Sequence, residues 1–413
     1  MRRAGLDAPR RVVVTGVGVV TPIGTGREQF WGSLLAGRGG VSVVESFDTG
    51  GLGVHLGAEV KGFRAEEFVF RQDVARLGRA SRFAVAAARL ALADAGLDAD
   101  ALGSPDAGVS MGTTSGEPRE IERFDDCHVA GRLDADGLDL LARYPCHLIP
   151  AHIASEFGLS GINVMIPTAC AAGNYAIAHA FDVLRDGRAD LMLAGGADAF
   201  SRITYFGFAR LGAIAPDACR PFDRLRKGMI PGEGAGVLVL EPLYRALERG
   251  ARVYAEVAGY GLTCDAHHMT AAHPEGTGAA SAMRKALEQS RLLPEEVSYI
   301  SAHGTGTPTN DRLETLAVKR LFGERAYRIP ISSIKSMLGH SMGAAAAVEA
   351  AACSLSVFHD LIPPTVNLEN PDPECDLDYV PNRARAQRVS VAMNNAYAFG
   401  GNNASVVFRK CEV

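Results

Sequence analysis

Cys170 follows the turn Pro167-Thr168-Ala169 and opens a helix expected from about Cys170 to Arg185. A helix start carries free N–H groups and a partial positive charge. A thiol there is expected to be held towards its thiolate, the nucleophilic form. The same N–H groups can hold the oxyanion that forms when a thioester is attacked. Among 11 histidines, His303 and His340 alone are both preceded by a strand and framed by glycine. His303 stands in Ala302-His303-Gly304-Thr305-Gly306-Thr307-Pro308, and His340 ends Lys335-Ser336-Met337-Leu338-Gly339-His340. Each imidazole can therefore face a cavity, and with Cys170 they make a Cys-His-His set suited to acyl transfer.

The elements that must position this set alternate between strand and helix. Strands are read at residues 11–20, 106–111, 163–166, 190–194, 252–260, 297–302, 331–334 and 389–394. Helices are read at 79–95, 170–185, 276–289, 310–321 and 343–358. The order gives an α/β fold. Gly16 and Gly18 imitate the start of a dinucleotide fingerprint, but the third glycine is missing and Pro22 follows, so a tight strand-to-loop connection is expected. Residues 114–145 are polar and poorly periodic and read as an insert or flexible lobe; residues 395–403 read as a loop. A faint internal echo links Cys170-Ala171-Ala172-Gly173 with His340-Ser341-Met342-Gly343-Ala344-Ala345. It predicts two similar halves, 1–258 bearing the cysteine and 259–413 bearing both histidines, with two small-residue helices buried together between sheets.

Bulk properties narrow the class. A chain of 413 residues, 47% hydrophobic and 22% charged, has the make-up of a globular enzyme. A net charge of −5 gives no electrostatic reason for nucleic-acid binding. No apolar segment follows Met1-Arg2-Arg3-Ala4-Gly5, and the apolar runs read as too short to span a bilayer, so no membrane partner is expected and the location is expected to be cytoplasmic. The eight cysteines show no disulfide framework. Cys127-His128 and Cys146-His147 lack the spacing of metal ligands, and no metal is expected.

The blocks around Cys170, His303 and His340, in that order, resemble the signature of elongating β-ketoacyl-acyl-carrier-protein synthases. Pro221-Phe222-Asp223-Arg224, Gly232–Val237, Asp265–Thr270 and Phe399-Gly400-Gly401-Asn402 extend the resemblance over residues 11–408. It implies a thiolase-like fold, a five-layered α-β-α-β-α sandwich, and a decarboxylative Claisen condensation adding two carbons to an acyl group held on Cys170. It implies that His303 and His340 handle the malonyl unit, that the backbone N–H groups of Cys170 and Phe399 form an oxyanion hole, that Lys335 pairs with Glu314, and that Glu349 supports the site. It further implies Thr305 and Thr307 against the pantetheine arm, and Thr270, His268, Met229, Ser115, Gly400 and Gly401 along the substrate path. The partners it implies are a phosphopantetheinylated acyl carrier protein, malonyl and acyl thioesters, and a second subunit, identical or resembling a chain-length factor; no cofactor beyond the carrier's phosphopantetheine is called for.

The sequence departs from the family at Ala398, where a glycine is usual in the mobile loop, at Lys227-Gly228-Met229, along residues 206–219, and at Ser115 near the expected floor of the acyl pocket. These departures lean towards a specialised polyketide or polyene chain over housekeeping fatty-acid elongation. A non-catalytic partner subunit lacks the nucleophile that Cys170 supplies. A thiolase would carry a second cysteine where Phe399 stands, and an initiating synthase would pair the cysteine with His and Asn.

Overall fold

The computed structural model describes residues 10–98 and 106–412; the basic start at Met1–Gly5 lies outside them. The first half contains β1 (Val12–Thr21), α1 (Arg79–Asp94), β2 (Ala107–Gly112), α2 (Pro118–Val129), α3 (Ala135–Arg143), α4 (Leu148–Phe157), β3 (Asn163–Ile166), α5 (Ala172–Arg185), β4 (Leu191–Asp198), α6 (Arg202–Arg210) and β5 (Gly234–Pro242). The second contains β6 (Ala255–Cys264), α7 (Thr277–Ser290), β7 (Tyr299–Ser301), α8 (Pro308–Phe322), β8 (Ile331–Ser332), α9 (Lys335–Leu338), α10 (Ala345–His359), β9 (Val391–Tyr397) and β10 (Asn402–Arg409).

Strand order is β3-β2-β4-β5-β1 in the first half and β8-β7-β9-β10-β6 in the second. In both, the first two pairings are parallel and the next two antiparallel. The half-sheets meet where Val12–Val14 pair with Ala255–Val257. Residue 258 falls inside β6, so the topological repeat begins a few residues before it.

Strand alternation assigns each side chain to a layer. Leu238 and Leu240 of β5 and Val406 and Phe408 of β10 face the middle, where Ile177, Ala180, Val348 and Ala352 of α5 and α10 fill the space. Val237 and Val239 face α1, whose Phe83, Ala87 and Ala91 pack against them. Val407 and Met393 face α7 and α8. The result is the five-layered thiolase-like sandwich that the resemblance implies. The middle helices touch closely: a Cβ on Gly173 would lie 2.5 Å from the Ala347 nitrogen.

Four sequence expectations change. Gly16 and Gly18 are not at a turn but inside β1, where a Cβ on Gly18 would meet the Ala87 carbonyl at 1.9 Å. Gly261 of β6 meets Ala282 of α7 in the same way, at 2.0 Å. Gly18 and Gly261 each let an outer helix lie directly on the strand. Residues 114–145 are not a loose insert: the amphipathic helices α2 and α3 occupy most of them, α2 burying Pro118 and Glu120 and α3 burying Gly137 and Leu140. Residues 395–403 are not one loop, since β9 runs to Tyr397 and β10 begins at Asn402, pairing with both β9 and β6. Finally, Met342–His359 is long and apolar enough by composition to cross a bilayer, yet 89% of it is buried inside the protein as the middle layer.

Candidate active site

The middle helices aim their N-termini along the sheets, and Cys170 lies in the tight turn Ala169–Ala171 that enters α5. Ala169 has φ 50, a left-handed conformation that a non-glycine residue adopts only when its surroundings hold it there. The backbone N–H groups of Cys170 and Phe399 both bear on the Cys170 sulfur. Burial dominates this environment. It pushes the thiol up to about 11, against the pull of the Lys335 charge and the two N–H groups, with Asp198 adding to the rise. The expected helix-start thiolate is therefore corrected: desolvation outweighs the helix terminus.

His303 follows β7 and His340 precedes the turn into α10. Their ring centroids lie 5.5 Å apart, nearly perpendicular. Both are buried, and burial, followed by the Lys335 charge, holds both well below the ordinary histidine range. Both are thus neutral near pH 7. His340 Nδ1 accepts the Met342 N–H at 3.1 Å, which leaves the proton on Nε2.

The resemblance paired Lys335 with Glu314, and the structure corrects this. The Lys335 ammonium donates to Glu349, both side chains being 2% exposed. Glu314 instead accepts the His303 and Gly304 backbone N–H groups, each at 2.8 Å, and so clamps the loop that carries His303. Burial pushes Glu314 up to about 8 and Glu349 to about 7.

One cavity of about 200 Å³ is lined by Cys170, His303, His340, Phe399, Thr270, Thr305, Thr307 and Met229. The Thr305 and Thr307 hydroxyls bond to each other at 2.9 Å. Phe399 is half-exposed at the mouth, its ring 5.7 Å from that of Phe208. Four expected substrate residues fall outside the lining. His268 is exposed and accepts the Thr270 and Ala271 N–H groups, shaping the loop. Gly400 donates to the Met269 carbonyl and Gly401 accepts from the Asp265 N–H, so both fasten that loop. Ser115 lines a different cavity with Tyr144, Cys146 and Ile203, and its N–H donates to Asp198. The sequence reading missed Phe208, Asp265, Tyr397 and Asn403 in the Cys170 cavity. Tyr397 and Asn403 were hidden by taking 395–403 as a loop; a β9–β10 hairpin puts Tyr397 opposite Asn403.

A buried cysteine and two neutral histidines around one cavity of a doubled five-layer sandwich define a thiolase-like condensing enzyme. Domain families described as β-ketoacyl synthase, N-terminal domain and C-terminal domain match residues 9–246 and 254–369. The chain belongs to the β-ketoacyl synthase family. It is 43% identical over 413 residues to 3-oxoacyl-[acyl-carrier-protein] synthase 2 of Synechocystis sp., covering 97% of this chain and 98% of the relative. It is 41% identical to the tetracenomycin polyketide synthase ketoacyl synthase alpha subunit of Streptomyces glaucescens, covering 98% of each. Among solved structures, the ishigamide ketosynthase/chain length factor superposes with TM-score 0.94 at 44% identity, covering 98% of this chain and 100% of that one. A type II polyketide ketosynthase in complex with its acyl-carrier protein gives 0.89 at 34%, with the same coverage.

Proposed function

We propose that the chain catalyses decarboxylative Claisen condensation between a malonyl unit on an acyl carrier protein and an acyl group on Cys170. The carrying observation is that Cys170, His303 and His340 line one cavity, with the Cys170 and Phe399 N–H groups at the sulfur. In the first step the Cys170 sulfur attacks the acyl thioester. The two N–H groups hold the oxyanion, and the carrier's thiol leaves with the cysteine proton. In the second, the malonyl carbon–carboxylate bond breaks and its electron pair remains on the thioester as an enolate, while carbon dioxide departs. Neutral His340, with its proton on Nε2, and His303 are suited to donate to that enolate oxygen. The enolate carbon then attacks the acyl-Cys170 carbonyl, and the cysteine sulfur leaves as the new carbon–carbon bond forms. Burial, with the charge of the nearby Lys335, holds both histidines neutral, and the bond to Glu349 fixes where that charge lies. The chemistry needs no group beyond the pantetheine arm, which the carrier brings, and a cytoplasmic setting for that carrier.

The substrate we favour is a polyketide or polyene chain, supported by Met229 and Phe208 in the cavity wall and by the likeness to the ishigamide and tetracenomycin proteins. Fatty-acid elongation is the competing substrate reading, supported by the cyanobacterial relative. For the second subunit we propose the face of α2 and α3, where Val129, Leu138 and Leu141, with Tyr144 just beyond α3, stand exposed. Intact-protein mass spectrometry after incubation with acyl-loaded carriers tests the reaction. One acyl adduct is expected on wild type and none on Cys170→Ala, whose condensation falls on the order of a thousandfold or more; an adduct surviving in Cys170→Ala overturns the assignment.

A further inference from the structure

Tyr397, the last residue of β9, lines the Cys170 cavity, and its ring stands edge-on to His303 at 5.7 Å. Its hydroxyl is buried and has no hydrogen-bond partner among the described residues. A buried donor left unpaired costs about 1–3 kcal/mol, so a group that arrives with the substrate is its natural partner. Burial, with the nearby charges of Glu314 and Asp265, raises the phenol well above its ordinary value, so the hydroxyl keeps its proton and acts as a donor.

The other lining groups identify the acceptor. No lysine or arginine lines this cavity among the described residues, and both histidines are neutral. Both Asn403 Nδ2 hydrogens are engaged, with Asp265 and with the Gly401 carbonyl, and the Thr305–Thr307 bond takes one of that pair's two hydroxyl protons, whereas the Tyr397 hydroxyl is wholly unpaired and stands beside His303. A malonyl unit brings a full carboxylate into this dry space beside His303, and it needs a donor there.

We propose that the Tyr397 hydroxyl holds the free carboxylate of the malonyl unit until it is lost; the assignment rests on the condensation reading above. Tyr397 then touches the substrate directly and gives up no proton. The breaking carbon–carbon bond leaves its electron pair on the thioester enolate, and the carboxylate departs as neutral carbon dioxide. A neutral donor suits this role, because a cation would hold the carboxylate more firmly than the step allows. Asp265, whose carboxylate already accepts from His273 N–H and Asn403 Nδ2, lines the same cavity, and a malonyl carboxylate bound there would meet its charge. That repulsion favours loss of the charge, and the hydroxyl fixes where the carboxylate lies until then.

The test compares wild type with Tyr397→Phe, which keeps the ring and removes the donor. Acylation of Cys170 is followed by mass spectrometry, and condensation is followed against malonyl-carrier concentration. The expected result is unchanged acylation, a KM for malonyl carrier raised about tenfold, and kcat within about twofold. Lower acylation at unchanged malonyl KM overturns the proposal in favour of a contact to the acyl chain. Kinetics indistinguishable from wild type also overturn it. Failure of the wild-type chain to load Cys170 sinks the condensation reading itself, a result separate from any difference between the two proteins.

Discussion

Ala169, with φ 50, starts the tight turn into α5 in the first half; Met342, with φ 52, starts the matching turn into α10 in the second. The turns run Ala169–Ala171 and Met342–Ala344, so Gly343 is the counterpart of Cys170. Strand registers carry the comparison further. Gly18 and Gly261 match by their contacts to the outer helices, which makes Val20 the counterpart of Thr263. Val20 pairs with Ala235 and then Ala197, while Thr263 pairs with Asn403 and then Tyr397. Asp198 therefore corresponds to Ala398. Around Gly343, the Asp198 carboxylate takes the Gly343 N–H together with those of Thr114 and Ser115. Around Cys170, Ala398 offers no such acceptor, and the N–H groups of Cys170 and Phe399 remain turned to the sulfur. The same turn is thus a filled structural joint in one half and an open oxyanion site in the other.

The comparison breaks most forcefully at the ion pair that only the second half owns. Glu349 sits six residues beyond Gly343, and its counterpart in the first half is Ala176. Lys335→Met leaves the buried Glu349 carboxyl without its partner, and a loss of about 3 kcal/mol is expected in denaturant unfolding. The double change Lys335→Met, Glu349→Leu should recover most of that loss while leaving condensation impaired; equal destabilisation of single and double variants would deny that the pair acts as a unit. Ala398→Asp copies the first half's acceptor into the second. A carboxylate taking the N–H groups at Cys170 should lower acylation by about a hundredfold, the scale of losing oxyanion donors. Stopped-flow acylation measures it, and a wild-type rate would refute the equivalence of residues 198 and 398.

Much of this is legible in the sequence, for physical reasons. Cys170, His303 and His340 were visible because each lies at an abrupt change from strand to small-residue turn. The two-half fold was visible through the small residues of the buried helices. The repeat was plainer than it was read: Thr15-Gly16-Val17-Gly18 and Ala258-Gly259-Tyr260-Gly261 are matching stretches of β1 and β6. Taking the first pair as a turn concealed that. Tyr397 escaped because it falls in the stretch taken as a loop, and only the β9–β10 hairpin brings it to the cavity, where Asp265 joins it from the end of β6. The partner of Lys335 escaped for the opposite reason. Glu349 and Glu314 both lie on helices near the site, and spacing cannot choose between them when the backbone of the His303 loop competes for one carboxylate.

Two smaller tests sharpen the comparison at its centre. A Cβ on Gly343 would lie 2.5 Å from the backbone at Thr113 and Thr114, so Gly343→Ala should destabilise the fold by about 1–3 kcal/mol without removing any reacting group. Chemical denaturation reads the loss, and unaltered stability would mean that the joint is looser than its contacts imply. The smallest effect concerns the thiol itself. With Cys170 pushed up to about 11, its thiolate fraction grows with pH throughout the neutral and mildly alkaline range. Iodoacetamide should therefore modify Cys170 about tenfold faster for each unit between pH 7 and 10, with no plateau in that window. A plateau near pH 8 would show that the helix N-terminus prevails over burial after all. Asp198 reaches across from the filled joint to this thiol, since its negative charge contributes to the rise. Burial raises Asp198 to about 6, so above that pH the charge is present. Asp198→Asn removes it, the Cys170 value moves down, and alkylation at pH 8 should quicken by less than about tenfold, the equivalent of one pKa unit. Slower alkylation in that variant would reverse the sign of the coupling and separate the two turns.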